Sequence, residues 1–153
     1  MTTAKDLCEH FEGCRLIAYK PTPTDPWTIG WGHTGPFVHS GLVCTQEEAD
    51  QWLENDLAQA AAVVDNAVKV QLTQNQRQAL IDFVYNVGPG KIGGKDGFVH
   101  LSNGEPSTML KLINSMLFSD AAEQFGKWVR GGGIILPGLQ KRREAERLLF
   151  LTE

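Results

Sequence analysis

The sequence predicts an α+β fold in which a small sheet is segregated from a larger helical part. Three observations carry this reading. Two segments, opening at Thr45–Glu48 and Thr73–Gln76, begin with capping boxes and repeat apolar residues at helical spacing. The stretch from Arg15 to about Gly41 shows short strands and turns instead, with proline and glycine throughout. Beyond it the pattern is almost wholly helical, so helix, small sheet, long helix and helical lobe follow in order.

The first helix rests on Ala4, Leu7, Cys8 and Phe11, which recur at i, i+3, i+4 and i+7. Thr3 with Asp6 supplies its start and Gly13 its stop, so Glu12 falls on the last turn. In TIGWGH, alternation along a strand turns Ile29, Trp31 and His33 one way and Thr28, Gly30 and Gly32 the other. Glycines inside a strand mark either a close approach by a ligand or backbone, or a sharp twist.

The helix from Thr45 carries Ala49, Trp52, Leu53, Leu57, Ala60 and Val64 on one side. The helix from Thr73 carries Ala79, Leu80, Phe83, Val84 and Val87, and Gly88-Pro89 ends it. Residues 90–106 are glycine-rich, and Asn103-Gly104 suggests a small hairpin. Three further helices are expected at about 107–117, 119–130 and 137–150, the last two separated by a GGG run.

At 153 residues, 42% hydrophobic and 21% charged, the chain reads as one globular domain able to bury a core in two lobes. The net charge of −4 argues against a nucleic-acid binder. Residues 127–153 nevertheless hold six Lys/Arg against three Asp/Glu, which fits either a solvated helix face or attraction to an anionic polymer. Cys8, Cys14 and Cys44 are odd in number and lack metal-ligand spacing, as expected of a reduced compartment. The start, MTTAKDLCEH, has neither a basic nor an apolar export region, and no stretch is long enough to span a bilayer. The expectation is therefore a protein without membrane insertion that works in the cytoplasm or is released by another agent.

Two residues stand out chemically. At a helix end the unpaired carbonyls disfavour a carboxylate at Glu12, and partial burial against Phe11 acts in the same direction. Both effects favour the protonated form that a glycosidase general acid needs. In LPGLQKRREAERLLF, Leu139, Ala145, Leu149 and Phe150 share a helix side on which Arg142 falls, with Arg143 nearer its edge. An arginine there either pairs with an acid such as Glu12 or reaches water over a packed stem.

FEGCRLIAYK followed by WTIGWGHT strongly resembles the signature of the phage-type lysozymes, or endolysins, of glycoside hydrolase family 24. LTQNQRQALIDFVYNVG, PSTMLKLIN, AAEQFGKW and LPGLQKRREAERLLF continue the resemblance in order, over about residues 4 to 150.

The resemblance implies a two-lobed lysozyme fold, a small β lobe at about 13–45 joined by the helix from Thr45 to a helical lobe at about 46–153 that also takes the first helix. It implies a muramidase that cleaves the β-1,4 bond between N-acetylmuramic acid and N-acetylglucosamine in peptidoglycan, usually with inversion, without metal or cofactor. Glu12 matches the general acid and Thr28 the threonine that positions the attacking water. Thr34, Tyr85, Asn86, Thr108 and Gln124 match cleft-lining positions, His33 a structural histidine, and Arg142 or Arg143 an arginine that orders the acid. A monomer is implied, waiting in the host cytoplasm until a membrane-perforating, holin-type release factor admits it to the wall.

One departure is plain. The family's second carboxylate, counted forward from Glu12 without gaps, falls on Pro21. Asp25 is the sole carboxylate of the loop, between Pro21, Pro23 and Pro26. Either the prolines pre-bend the loop so that Asp25 reaches the same water, at about 6.5–9.5 Å from the acid, or Asp25 is a turn residue. Pro21 also leaves open a lytic transglycosylase using Glu12 alone, and a non-catalytic glycan-binding module is the third reading.

Overall fold

The computed structural model describes all 153 residues. Helix α1, Ala4–Glu12, opens with the expected capping box: the Asp6 amide donates to the Thr3 hydroxyl at 3.1 Å, and the Thr3 amide donates to the Asp6 carboxylate at 2.8 Å. It ends at Gly13, whose φ of 65° is the left-handed conformation that glycine adopts without strain.

Strands β1 (Arg15–Tyr19), β2 (Thr28–Gly30) and β3 (His33–Thr34) make an antiparallel sheet in that order. TIGWGH is therefore not one strand but a hairpin. Gly30 and Gly32, at φ 65° and 104°, turn the chain back on itself, which a period-2 pattern does not reveal. Thr28 pairs with Thr34 and Ile29 with His33, so the two threonines share one face and His33 lies on the other. Residues 42–44 run along the outer edge of β1, the Ala18 amide donating to the Leu42 carbonyl at 2.9 Å.

Helix α2, Gln46–Ala67, starts at the predicted Thr45–Glu48 box and spans about 33 Å at 1.5 Å per residue. Its first turns bury Ala49 with Ile29, Val38 and Cys44 in a small core beneath the sheet. Its later turns bury Ala60 and Val64 in a separate core of 18 residues. One helix thus belongs to both lobes.

Helix α3, Gln74–Val87, is the spine of the larger lobe and buries an unbroken run from Ala79 to Val84. Helix α4, Thr108–Asn114, is capped by Ser107. The helix expected at 119–130 is interrupted: α5 covers only Phe118–Glu123, and a 3₁₀ turn follows at Phe125–Lys127. Gly126 weakens a helix at this point, and the tighter turn drives Phe125 fully into the core, 5.4 Å from Phe83 and 5.6 Å from Phe150 between ring centroids. The GGG run makes an unexpected hairpin, β4 (Arg130–Gly131) with β5 (Ile134–Ile135), around Gly132 and Gly133 at φ 58° and 83°.

The hairpin expected at Asn103-Gly104 is absent. Residues 90–106 form no strand pair; Asn103-Gly104 is a local turn in which the Asn103 side chain accepts from the Glu105 amide. Phe98, fully buried against Phe83, pins this loop to the core. Helix α6, Pro137–Leu151, begins on its proline and packs on α3 with Arg142, Arg143, Glu146, Leu149 and Phe150 buried.

Candidate active site

Glu12 ends α1 where the two lobes meet, and three elements converge on it. From α6, Arg142 donates to its carboxylate at 2.5 Å. From the β2–β3 turn, Gly32 approaches so closely that an added Cβ would lie 2.9 Å from Glu12 Oε2. From α3, Tyr85 stands at the same glycine, where that Cβ would be 3.2 Å from its hydroxyl. The Glu12 side chain keeps 21% of its surface exposed, enough to meet a ligand. The guanidinium sets a positive charge beside the acid.

Arg142 is itself held. Its Nε and Nη2 donate to the two oxygens of Asp82 at 3.0 and 2.7 Å, and both side chains are buried. Burial works against the Arg142 charge, but the bonds to Asp82 and the nearby Glu12 outweigh it and raise its pKa. Arg143 does not reach Glu12; it donates to Glu146, to Asn86 and to the Trp128 carbonyl. Of the two candidate arginines, Arg142 is the one that meets the acid.

Three carboxyls, Glu12, Asp82 and Glu146, thus face two guanidiniums. Complete burial raises the Glu146 pKa well above the usual carboxyl range, with the neighbouring Asp82 adding to the effect and Arg143 opposing it.

The hairpin tip is gripped from both sides. The Trp31 indole donates to Asp50 of α2 at 2.8 Å, and the Tyr85 hydroxyl donates to the Trp31 carbonyl at 2.9 Å. Burial, followed by the neighbouring Cys8 and Glu12, raises the Tyr85 pKa, so the phenol remains a donor. Burial likewise pushes the Cys8 thiol up to about 12, which leaves it unreactive.

Beside this acid lies a cavity of about 350 Å³ walled by Gly32, Thr34, Asp56, Gln59, Val84 and Tyr85 among others. Thr34 and Tyr85, expected in a cleft, are both among its walls. His33 turns away from it, bonding Asp56 through Nδ1 at 2.7 Å and stacking on Trp52 at 5.0 Å. Thr28 is buried; its hydroxyl donates to the Pro26 carbonyl at 3.0 Å, which leaves its lone pairs to accept from water. Asp25 is half-buried in the proline loop, its amide donating to Thr22, and its carboxylate makes no ion pair.

The remaining expected residues are not gathered at this cavity. Asn86 accepts from Arg143 and faces the other side of the α3 terminus. Thr108 is exposed at the start of α4, and Gln124 follows α5 half-buried; neither lines the cavity. Asp56, Gln59, Asp82 and Glu146 were not singled out from sequence. For Asp82 a signal existed: an acid inside ALIDFV, on a buried helix face, demands a cation.

No helix is long and apolar enough to cross a membrane, and no three His, Cys, Asp or Glu side chains converge as metal ligands would.

The chain is similar to known proteins in sequence and fold. A family profile described as "Phage lysozyme" matches residues 9–146. An endolysin of Bacillus phage B103 is 42% identical over 148 residues, covering 96% of this chain and 52% of its own length. An endolysin of Acyrthosiphon pisum secondary endosymbiont phage 1 is 39% identical, covering 94% of this chain and 92% of its own. The chain spans about half the length of the Bacillus phage relative and nearly all of the endosymbiont one. Among solved structures, the muramidase domain of SpmX from Asticaccaulis excentricus superposes with a TM-score of 0.78 at 32% identity, covering 98% of this chain and 95% of the domain. With the profile matching from before Glu12 to beyond its partner Arg142, this chain belongs to the phage lysozyme family.

Proposed function

We propose that the protein is a muramidase that hydrolyses the β-1,4 bond between N-acetylmuramic acid and N-acetylglucosamine in peptidoglycan. The observation that carries this is Glu12, a partly exposed carboxyl at the junction of two lobes, held by Arg142 and pressed against Gly32 beside a cavity of about 350 Å³. The names of its relatives, endolysins and a muramidase domain, support the same reading.

In this reading Glu12 gives its proton to the glycosidic oxygen as the bond to the anomeric carbon breaks. Water adds to that carbon from the opposite face, and Asp25 takes the proton the water releases. The attacking water donates a hydrogen bond to Thr28, whose own hydrogen is committed to Pro26. Thr34 and Tyr85 line the path of the glycan, and no metal or cofactor takes part. Acting on the wall from inside a host cell requires passage through the membrane, and a holin-type release factor is the partner this implies. A cleft enzyme of this size acts as a monomer.

Pro21, standing where the family's aspartate falls, favours a second reading: a lytic transglycosylase that closes the muramic ring on its own hydroxyl. Mass spectrometry of digested peptidoglycan separates the two. Reducing ends are expected from wild type, none from Glu12→Gln, and far fewer from Asp25→Asn, because general acid–base groups contribute about 10²–10⁴-fold each. Products ending in 1,6-anhydro sugars replace hydrolysis with transglycosylation. Undiminished turnover by Asp25→Asn removes that residue from the chemistry.

A further inference from the structure

Gly32 presses on Glu12, so whatever fixes Gly32 also fixes the space the acid occupies. Its neighbour Trp31 is bonded at both ends. The backbone carbonyl accepts from Tyr85 at 2.9 Å, and the indole Nε1 donates to Asp50 Oδ1 at 2.8 Å. One residue earlier, Gly30 lies so close to α2 that an added Cβ would stand 3.1 Å from the Ala49 Cβ. The hairpin tip has no slack toward α2. It can only lift away, and the bond between Trp31 and Asp50 opposes that motion.

Asp50, in the first turns of α2, is half-buried and is not among the walls of the cavity beside Glu12. The same Oδ1 accepts from Gln46 Nε2, one turn earlier, at 2.8 Å. Gln46 Nε2 also donates to Cys14 Sγ at 3.6 Å, and Cys14 follows Glu12 by two residues. These contacts close a ring: Glu12, Gly32, Trp31, Asp50, Gln46, Cys14, and back along the chain to Glu12. Asp50 is its joint, the acceptor that two side chains share. Those two donors, the indole first, hold the Asp50 carboxyl below its ordinary range, so the acceptor stays charged at neutral pH.

We propose that Asp50 is a positioning residue for the reaction: through Trp31 it holds the β2–β3 tip, and with it Gly32, against Glu12, and so fixes where the acid presents its proton. The proposal rests on the reading of Glu12 as the general acid. The hydrogen bond carries the effect, because Asp50 does not line the cavity in which charge develops. An amide carbonyl in the same place has two lone pairs for the same two donors and can take over the task.

The test compares wild type with Asp50→Ala, Asp50→Asn, Trp31→Phe and the double variant Trp31→Phe/Asp50→Ala. On peptidoglycan, Asp50→Ala is expected to lower kcat about tenfold with KM kept, as a small displacement of a reacting group does. Asp50→Asn keeps an acceptor and is expected to stay within about twofold of wild type. The double variant is expected to fall no further than the slower of its two single variants, since both remove one bond. Independently of turnover, carbon-13 NMR of the Glu12 carboxyl is expected to show a changed chemical shift in Asp50→Ala and the wild-type shift in Asp50→Asn. Trp31→Phe breaks the same bond from the other side and supplies the same readings should Asp50→Ala fail to fold. Wild-type kcat in Asp50→Ala, an Asp50→Asn as slow as Asp50→Ala, losses that multiply in the double variant, or an unmoved Glu12 carboxyl overturns the proposal. Wild type that releases no sugar ends sinks the muramidase reading instead, and the Glu12 carboxyl shift still decides whether Asp50 positions that side chain.

Discussion

Asp82 grips Arg142 through two bonds, at 3.0 and 2.7 Å, and so turns the third guanidinium nitrogen onto Glu12. The acid is thus oriented through a partner that never faces the cavity. Asp82→Asn leaves Arg142 with one neutral acceptor in place of a two-point carboxylate. The expected result is a fall in kcat of about 10²-fold with KM on peptidoglycan kept, since a small misplacement of a reacting group is enough for that. Urea unfolding should show a loss of about 3 kcal/mol, the scale for breaking a buried pair. A variant with lowered stability and full kcat would make Asp82 structural only.

Gly32 leaves no room for a side chain beside the acid. An alanine there would place its Cβ 2.9 Å from Glu12 Oε2 and force a side chain onto a φ of +104°. Gly32→Ala is expected to destabilise by about 1–3 kcal/mol from backbone strain and to lower kcat about 10²-fold. The check is steady-state turnover beside thermal unfolding; wild-type kcat would mean that Glu12 has room to move.

Glu146 makes stability depend on pH with a defined sign. Its folded pKa is raised by burial above the ordinary 4.5, so the folded state holds a proton that the unfolded chain releases. Stability is therefore complete below about 4.5 and is lost as pH climbs toward the folded value. Glu146→Gln cannot ionise, and its unfolding free energy should lack this alkaline decline while Arg142, Arg143 and Asp82 remain in place. Parallel pH profiles for variant and wild type would show that Glu146 is ionised in the fold.

Much of this was legible locally. Thr3–Asp6, Thr45–Glu48 and Thr73–Gln76 all form real capping boxes, because a cap is decided within four residues. The pairing of Arg142 with Glu12 was one of two outcomes open to a charge on an apolar helix face, the other being a head that reaches water over a packed stem. Where tertiary packing decides, the pattern misleads. TIGWGH alternates evenly, yet two glycines fold it into a hairpin. Phe125 leaves the regular helix to reach Phe83 and Phe150. Asn86, one residue past Tyr85, swings to the opposite side of α3 and bonds Arg143.

The partners in the Glu12–Arg142 contact lie 130 positions apart along the chain. Until the segment that carries Arg142 has left the exit tunnel, a nascent polypeptide lacks the guanidinium that holds Glu12 in place; the contact forms only when α6 docks against α1.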